Sequence, residues 1–419
     1  MEAKYSSSDI EVRSNAPEPP AFYPLQPTDA TVESPLLEEL AQHKLVTIFP
    51  LKPHPRLLRF FPFLISGPLK VLWQVGDLVT VLGWKTKHST WVLVQNPPSI
   101  PTLAVAAITC FARRTPLLID WHNYGWSILA GTRGAKHPFV RVSKTYETFF
   151  GRLGSANLAV TAAMARQLRG RPYGIRSPIK VLHDRPAALF RPLTSASERL
   201  HVLARILGSK ETASAIVDGH ARLVVSSTSW TPDEDFQTLL YALVQYCARQ
   251  SLPGRPRRPP LVVVITGKGP QKDMYLTRLA KLRRAGQLDG VEVETAFLPI
   301  DDYASLLAAA DLGVCLHTSS SGVDLPMKVV DMFGAGLPVV AYSDYESFPE
   351  LVKDGVNGRG FKTSGGLSDH LAFLLGAAGA DELKHLKEGA MRESSLRWDE
   401  EWDKVVAPLL GFEPDGEKK

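Results

Sequence analysis

A chain of 419 residues exceeds one ordinary core, so two domains are expected. With 44% hydrophobic and 22% charged residues it is globular, neither disordered nor fibrous. Its net charge of +5 favours acidic partners such as phosphates or anionic lipid and gives no argument for nucleic acid, since no zinc-ligand spacing or dense basic helix accompanies it.

Residues 1–35 are polar and Pro-rich, which reads as a disordered lead and not as a secretory signal. No run of about eighteen apolar residues occurs, so no spanning helix is predicted. Strand candidates follow at 45–49, 91–96, 115–123 and 157–162, with 179–186 after them. Two apolar stretches, 59–84 and 99–114, have two readings. One is buried helices. The other is a monotopic membrane patch that binds anionic liposomes, with Phe60, Phe61, Phe63 and Trp73 in the interface and Arg56, Arg59 and Lys70 at the headgroups. Spacing alone favours buried helices, because core helices are commoner.

Residues 187–220 contain no clear strand, and the domain boundary is placed near 192–222. Beyond it strands and helices alternate. Strands are predicted at 221–228, 261–267, 291–298, 312–317 and 337–342. Helices are predicted at 231–249, with Thr231 as cap and Pro232 in its first turn, and at 270–286 and 301–310. Residues 254–260 form a basic loop, and 393–412 read as a terminal helix. This rhythm predicts a doubly wound parallel sheet, whose ligands bind outside the carboxyl ends of the strands. Cys110, Cys247 and Cys315 are odd in number and sit in apolar contexts, as buried free thiols of a reducing compartment do.

Three loops carry chemistry. Gly267, Lys268 and Gly269 follow a strand, where glycines let backbone approach a ligand and Lys268 offers a charge for a phosphate; the pattern is not a Walker loop, and alone it is weak. Ser319, Ser320, Ser321 and Gly322 precede a helix starting near 325–326, whose N–H groups and Lys328 suit an anion. There Asp324 reads most simply as the helix cap. Asp331 could accept hydrogen bonds from a ribose; the alternative is a solvated surface acid, which its apolar neighbours on the same helix disfavour. Together these suggest a nucleoside diphosphate. The third loop is Asp120, His122, Asn123 and Tyr124 at a strand's carboxyl end, where a histidine is as readily functional as structural.

The segments "IDWHNYGWSILA", "QNPPSIPTLAVA", "FPFLISGPLKVLWQ", "SSTSWTPDEDFQTLLYAL", "ITGKGP" and "SSSGVDLPMKVVDMFGAGLPVVAY" resemble glycosyltransferases of the GT-B fold and, within them, the chitobiosyldiphosphodolichol β-mannosyltransferase family, from about residue 45 to 365. The resemblance implies an α/β protein of two Rossmann-like doubly wound domains facing a cleft. Residues 36–200 would form an acceptor- and membrane-facing domain, 201–392 the nucleotide-sugar domain, and 393–419 a C-terminal helix and tail. It implies transfer of mannose from GDP-mannose to GlcNAc₂-diphosphodolichol, with a β-1,4 linkage and inversion, in N-glycan precursor assembly. The setting is the cytosolic face of the endoplasmic reticulum membrane, with other mannosyltransferases of that assembly as partners and no tightly bound cofactor or metal. Lys268, Asp331 and the loop from Ser319 to Lys328 would hold GDP, and His122 would face the acceptor. The base could be His122, Asp120 or Asp324.

Family members begin with a membrane anchor, a first strand and a glycine-rich loop, and neither the anchor nor the loop is recognisable here. The expectation is a truncated chain or an incomplete first domain that binds GDP but transfers mannose poorly. The retaining relatives' Glu-x₇-Glu pair is also absent: Asp331 takes the later position and Val323 the earlier, which suits inversion. Two other readings stay open: an inactive nucleotide-binding relative, and a transferase using another sugar nucleotide such as UDP-GlcNAc.

Overall fold

The computed structural model describes residues 46–231, 234–250 and 259–412. The lead at 1–35, Pro232 and the basic loop through residue 258 lie outside them, as do the side chains of Arg59 and Phe63. The chain divides into two compact units. The first ends at His183 and resumes at Glu401; the second is Asp184–Glu400.

The first unit contains α1 (Phe63–Thr80), β1 (Val92–Asn96), α2 (Thr102–Arg113), β2 (Leu117–Trp121), α3 (Gly125–Arg133), α4 (Pro138–Phe150), β3 (Ala156–Ala159), α5 (Ala162–Arg169) and β4 (Ile179–Val181). The strands form a parallel sheet in chain order, with Val94 opposite Ile119, Ile119 opposite Asn157, and Asn157 opposite Ile179. Thr161 starts α5 by accepting from the Met164 N–H at 3.0 Å. Residues 46–49, predicted as a strand, are not one. Phe49 and Leu51 pack against Leu78, Val81 and Leu82 at the end of α1, so this apolar run covers a helix and does not extend the sheet.

The second unit contains α6 (Ala196–Leu207), α7 (Lys210–Val217), β5 (Arg222–Ser227), α8 (Phe236–Gln250), β6 (Leu261–Thr266), α9 (Lys272–Arg284), β7 (Val291–Ala296), α10 (Ile300–Ala309), β8 (Leu312–Cys315), α11 (Met327–Gly334), β9 (Val339–Tyr342), α12 (Phe348–Leu351), β10 (Gly358–Phe361), α13 (Ser364–Leu374) and α14 (Ala380–Ser394). Six parallel strands run in the order β10-β9-β8-β5-β6-β7. The order reverses between β5 and β8, as it does in dinucleotide-binding sheets.

The central strands β5, β6 and β8 are buried almost throughout because helices cover both faces, whereas the edge strand β7 alternates, with Glu292 and Glu294 exposed. Alternate residues of β5 serve opposite cores: Val224 packs with Leu239, Leu243 and Tyr246, while Leu223 and Val225 pack with Leu306, Leu307 and Phe333. Cys110, Cys247 and Cys315 are buried free thiols, and burial raises each to about 11.

Two predicted helices differ. The one expected from residue 231 starts at Phe236, because Glu234 bridges to His317 and turns its carboxylate inward. The terminal helix is broken into α14, α15 (Trp398–Val405) and α16 (Ala407–Leu410), with Val406 fully buried at the last break.

Candidate active site

The crevice of a reversed sheet lies beyond the carboxyl ends of the strands flanking the reversal, here β5 and β8. After β5 come Thr228, Ser229 and Trp230. The Trp230 indole is buried and donates to the Gly267 carbonyl at 3.3 Å. This clamps the β5 loop against the β6 loop. A Cβ on Gly267 would lie 1.7 Å from the Thr228 carbonyl oxygen, and one on Gly269 equally close to that of Ser229. Gly267 also sits at φ +127°. Both glycines are therefore required by the contact between the two loops, a cause that the strand-end pattern did not reveal. Between them Lys268 is exposed, its ammonium 3.6 Å from the centre of the Phe297 ring at the end of β7.

The serine loop after β8 is built around Asp324. This carboxylate is 5% exposed and accepts from His317 Nε2 at 3.0 Å, from the Ser319 hydroxyl, and from Ser321 Oγ at 3.2 Å. Burial alone would raise its pKa; the His317 bond and charge and the Ser319 bond outweigh that and hold it below the usual carboxylate range. The residue at the N-cap position of α11 is Pro326, not Asp324. A buried carboxylate saturated by donors is a poor base, so its candidacy as a catalytic base falls. The serines also serve the loop itself: Ser319 Oγ accepts from the Gly322 N–H at 2.8 Å, and Ser321 Oγ from the Val323 N–H at 3.4 Å. Ser320 is the exposed serine of the group. These two serines thus serve N–H groups of the loop itself, ahead of α11, which begins at Met327.

Lys328, in the first turn of α11, pairs with the buried carboxylate of Glu234 and donates to Ser229 Oγ at 3.2 Å. Glu234 also accepts from Thr228 Oγ1 at 2.6 Å and from the Ser229 N–H at 2.5 Å. One carboxylate thus ties the β5 loop to α11. Sequence reasoning missed Glu234 because it looked like an exposed acid in a first helical turn.

Asp331, on the same helix, is half-buried. Burial and the neighbouring Asp184 carboxylate raise it to about 7, against the partial relief of Lys328. Gly334 explains how Asp184 comes so near: a Cβ there would meet Pro186 at 2.4 Å and Phe190 at 2.8 Å, so the segment after Asp184 lies directly on the end of α11. Tyr303, also missed, is raised by burial and by Asp331, and its hydroxyl lies 2.9 Å from Ser227 Oγ.

The first unit holds the other constellation. His122 Nε2 lies 2.9 Å from Asp120 Oδ2, both at the end of β2. A carboxylate only accepts, so this nitrogen carries the proton and Asp120 fixes the tautomer. Asn123 shapes the start of α3, where its Oδ1 accepts from the Tyr124 N–H at 2.7 Å and from Ser127 Oγ at 3.2 Å. Tyr124, expected to touch substrate, is 1% exposed; its ring stacks on Trp126 and Tyr173, and it belongs to the packing. Beneath it Glu147 is fully buried. It accepts from Ser99 Oγ, from the Tyr173 hydroxyl at 2.5 Å and from the Gly125 N–H at 2.8 Å, and burial raises its pKa against these bonds.

A family profile described as "Glycosyl transferases group 1" matches residues 221–376, the six-stranded unit. Among curated proteins, the chain is 50% identical over 378 residues to the chitobiosyldiphosphodolichol β-mannosyltransferase of Arthroderma benhamiae, covering 90% of this chain and 84% of that one. It is 44% identical to the enzyme of the same name from Yarrowia lipolytica, covering 84% of this chain and 73% of that one. It is 39% identical to "UDP-glycosyltransferase TURAN" of Arabidopsis thaliana, covering 85% and 84%. In fold it resembles Anabaena HepE, solved with UDP and glucose, at a TM-score of 0.60 and 21% identity over 90% of this chain and 89% of that one.

Two parallel Rossmann-like sheets, one reversing at the loops just described, define a glycosyltransferase of the GT-B class. Half of the aligned residues are shared with a curated β-mannosyltransferase across nine-tenths of the chain. The chain belongs to the chitobiosyldiphosphodolichol β-mannosyltransferase family and is a hexosyltransferase.

Proposed function

We infer that the chain transfers mannose from GDP-mannose to chitobiosyl-diphosphodolichol, forming a β-1,4 bond with inversion, at the cytosolic face of the endoplasmic reticulum membrane. The observation that carries the reading is the 50% identity to a protein named for this reaction. The site supplies suitable chemistry. In the second unit, Lys268 and the exposed Ser320 side of the serine loop receive the diphosphate, and Asp331 takes the ribose hydroxyls. Lys328 acts mainly through its pairing with Glu234, holding the β5 loop in place.

In the first unit, Asp120 orients His122, which acts as the proton acceptor. The acceptor's 4-hydroxyl oxygen attacks C1 of mannose, its proton passes to His122, and the C1–phosphate bond breaks to release GDP. Lys268 stabilises the charge growing on the leaving diphosphate. The donor is tested by titrating the protein with GDP and with UDP in a calorimeter. GDP is expected to bind more tightly; tighter UDP binding would favour a UDP-sugar donor, as the name of the Arabidopsis relative suggests for that protein.

A further inference from the structure

Helix α4 is inside out. Its buried positions are Val140, Ser143, Glu147 and Thr148, three of them polar, with Glu147 as a hydrogen-bond hub and the Thr148 hydroxyl donating to its own helix. Its outward positions include large apolar side chains: Phe139 is 44% exposed, Val142 59% and Phe149 58%, with Leu153 in the turn beyond at 51%. Tyr146, half-buried, completes a three-four spacing, so the five side chains form one stripe along the helix. The internal polar hub explains what α4 buries. Folding leaves the stripe unexplained.

Charge says what covers it. Arg133, Lys136 and Arg141 are exposed around the stripe, and the Lys144 ammonium sits 4.2 Å from the centre of the Trp126 ring. The acid within residues 125–152 is Glu147, which is buried. Over residues 46–183 there are eighteen lysines and arginines against three acids, whereas the whole chain has 48 against 43. Helix α2, which touches α4 through the Tyr146 hydroxyl at Pro101 and Ala104, extends the apolar exposure with Ile108 and Phe111.

We propose that the exposed face of α4 is a membrane-interface surface for anionic lipid, its apolar stripe seated at the acyl boundary and Lys136, Arg141 and Lys144 at the headgroups. An acidic protein would suit the cations but not a continuous hydrocarbon stripe, and a neutral bilayer would suit the stripe but not the cations. The inference does not depend on which sugar the enzyme transfers or from which nucleotide.

The test uses the full chain carrying Val142→Cys labelled with an environment-sensitive fluorophore; the three native cysteines are buried. A control label replaces the exposed Lys384 on α14. On phosphatidylcholine vesicles containing phosphatidylserine, the Val142 label should shift to the blue and be quenched by spin-labelled lipid, while the control stays unchanged. Lys136→Gln and Arg141→Gln should each weaken vesicle binding roughly fivefold. An unshifted label at 142 on vesicles that carry the protein, an equal shift at the control position, or equal binding to pure phosphatidylcholine would each overturn the proposal.

Discussion

Asp331 and Lys268 are the residues with the sharpest individual consequences. Asp331 has a folded pKa near 7 against an ordinary 3.8, so its ionisation opposes folding between those values. The penalty is absent below about pH 4, grows as pH rises, and is complete above about pH 7. Asp331→Asn should therefore leave unfolding free energy unchanged near pH 4 and raise it by about 2–4 kcal/mol at pH 8, read from denaturant titrations. An equal gain at both pH values would contradict the assignment. Lys268 is held over Phe297 at a strand end, charged and exposed. Lys268→Ala should weaken GDP binding by about 1.5–3 kcal/mol, the range of a charge-assisted hydrogen bond, and calorimetry showing no change would remove it from the site.

At the scale of elements, the first unit depends on one carboxylate. Glu147 joins α4 to the loop after β1 through Ser99, to the start of α3 through Gly125, and to Tyr173. Glu147→Ala strands several buried donors and should cost at least about 3 kcal/mol in thermal or chemical unfolding. Gly125→Ala sets a Cβ 2.6 Å from Ser99 Oγ and should cost about 1–3 kcal/mol. The same features mark the limit of what was legible in the sequence. The strands of the second unit could be read because runs such as 261–265 are apolar throughout, and their loops follow from strand ends. Glu234 could not, because its ion-pair partner Lys328 lies on α11, remote in the chain, so the local pattern suggested a first-turn acid. Tyr124 misled for the same reason: its sequence neighbours are polar, while its packing partner Tyr173 is remote in the chain. Residues 59–84, expected inside, instead expose Phe60, Leu72 and Trp84 at 65–77%. An apolar sequence does not by itself say which solvent it faces.

For the whole molecule, the two units divide the work. The residues proposed to hold the nucleotide lie in the second and the His122–Asp120 pair in the first. His122→Ala should leave GDP affinity unchanged and lower transfer by about 10²–10⁴-fold, the value of positioned proton transfer. Among the described residues no helix is long and apolar enough to cross a membrane. The lipid contacts proposed are the exposed face of α4 and the apolar side chains exposed within 59–84. Replacing Phe60, Phe61 and Trp73 with serine should lower co-sedimentation with anionic vesicles while circular dichroism stays unchanged.

The most direct measurement is sugar transfer to a chitobiosyl-diphospholipid from radiolabelled GDP-mannose, run beside labelled UDP-glucose and UDP-GlcNAc. The account predicts label in the lipid from GDP-mannose alone, released by β-mannosidase and lost in His122→Ala. Label arriving from a UDP-sugar, or a mannose product that resists β-mannosidase and yields to α-mannosidase, would contradict it.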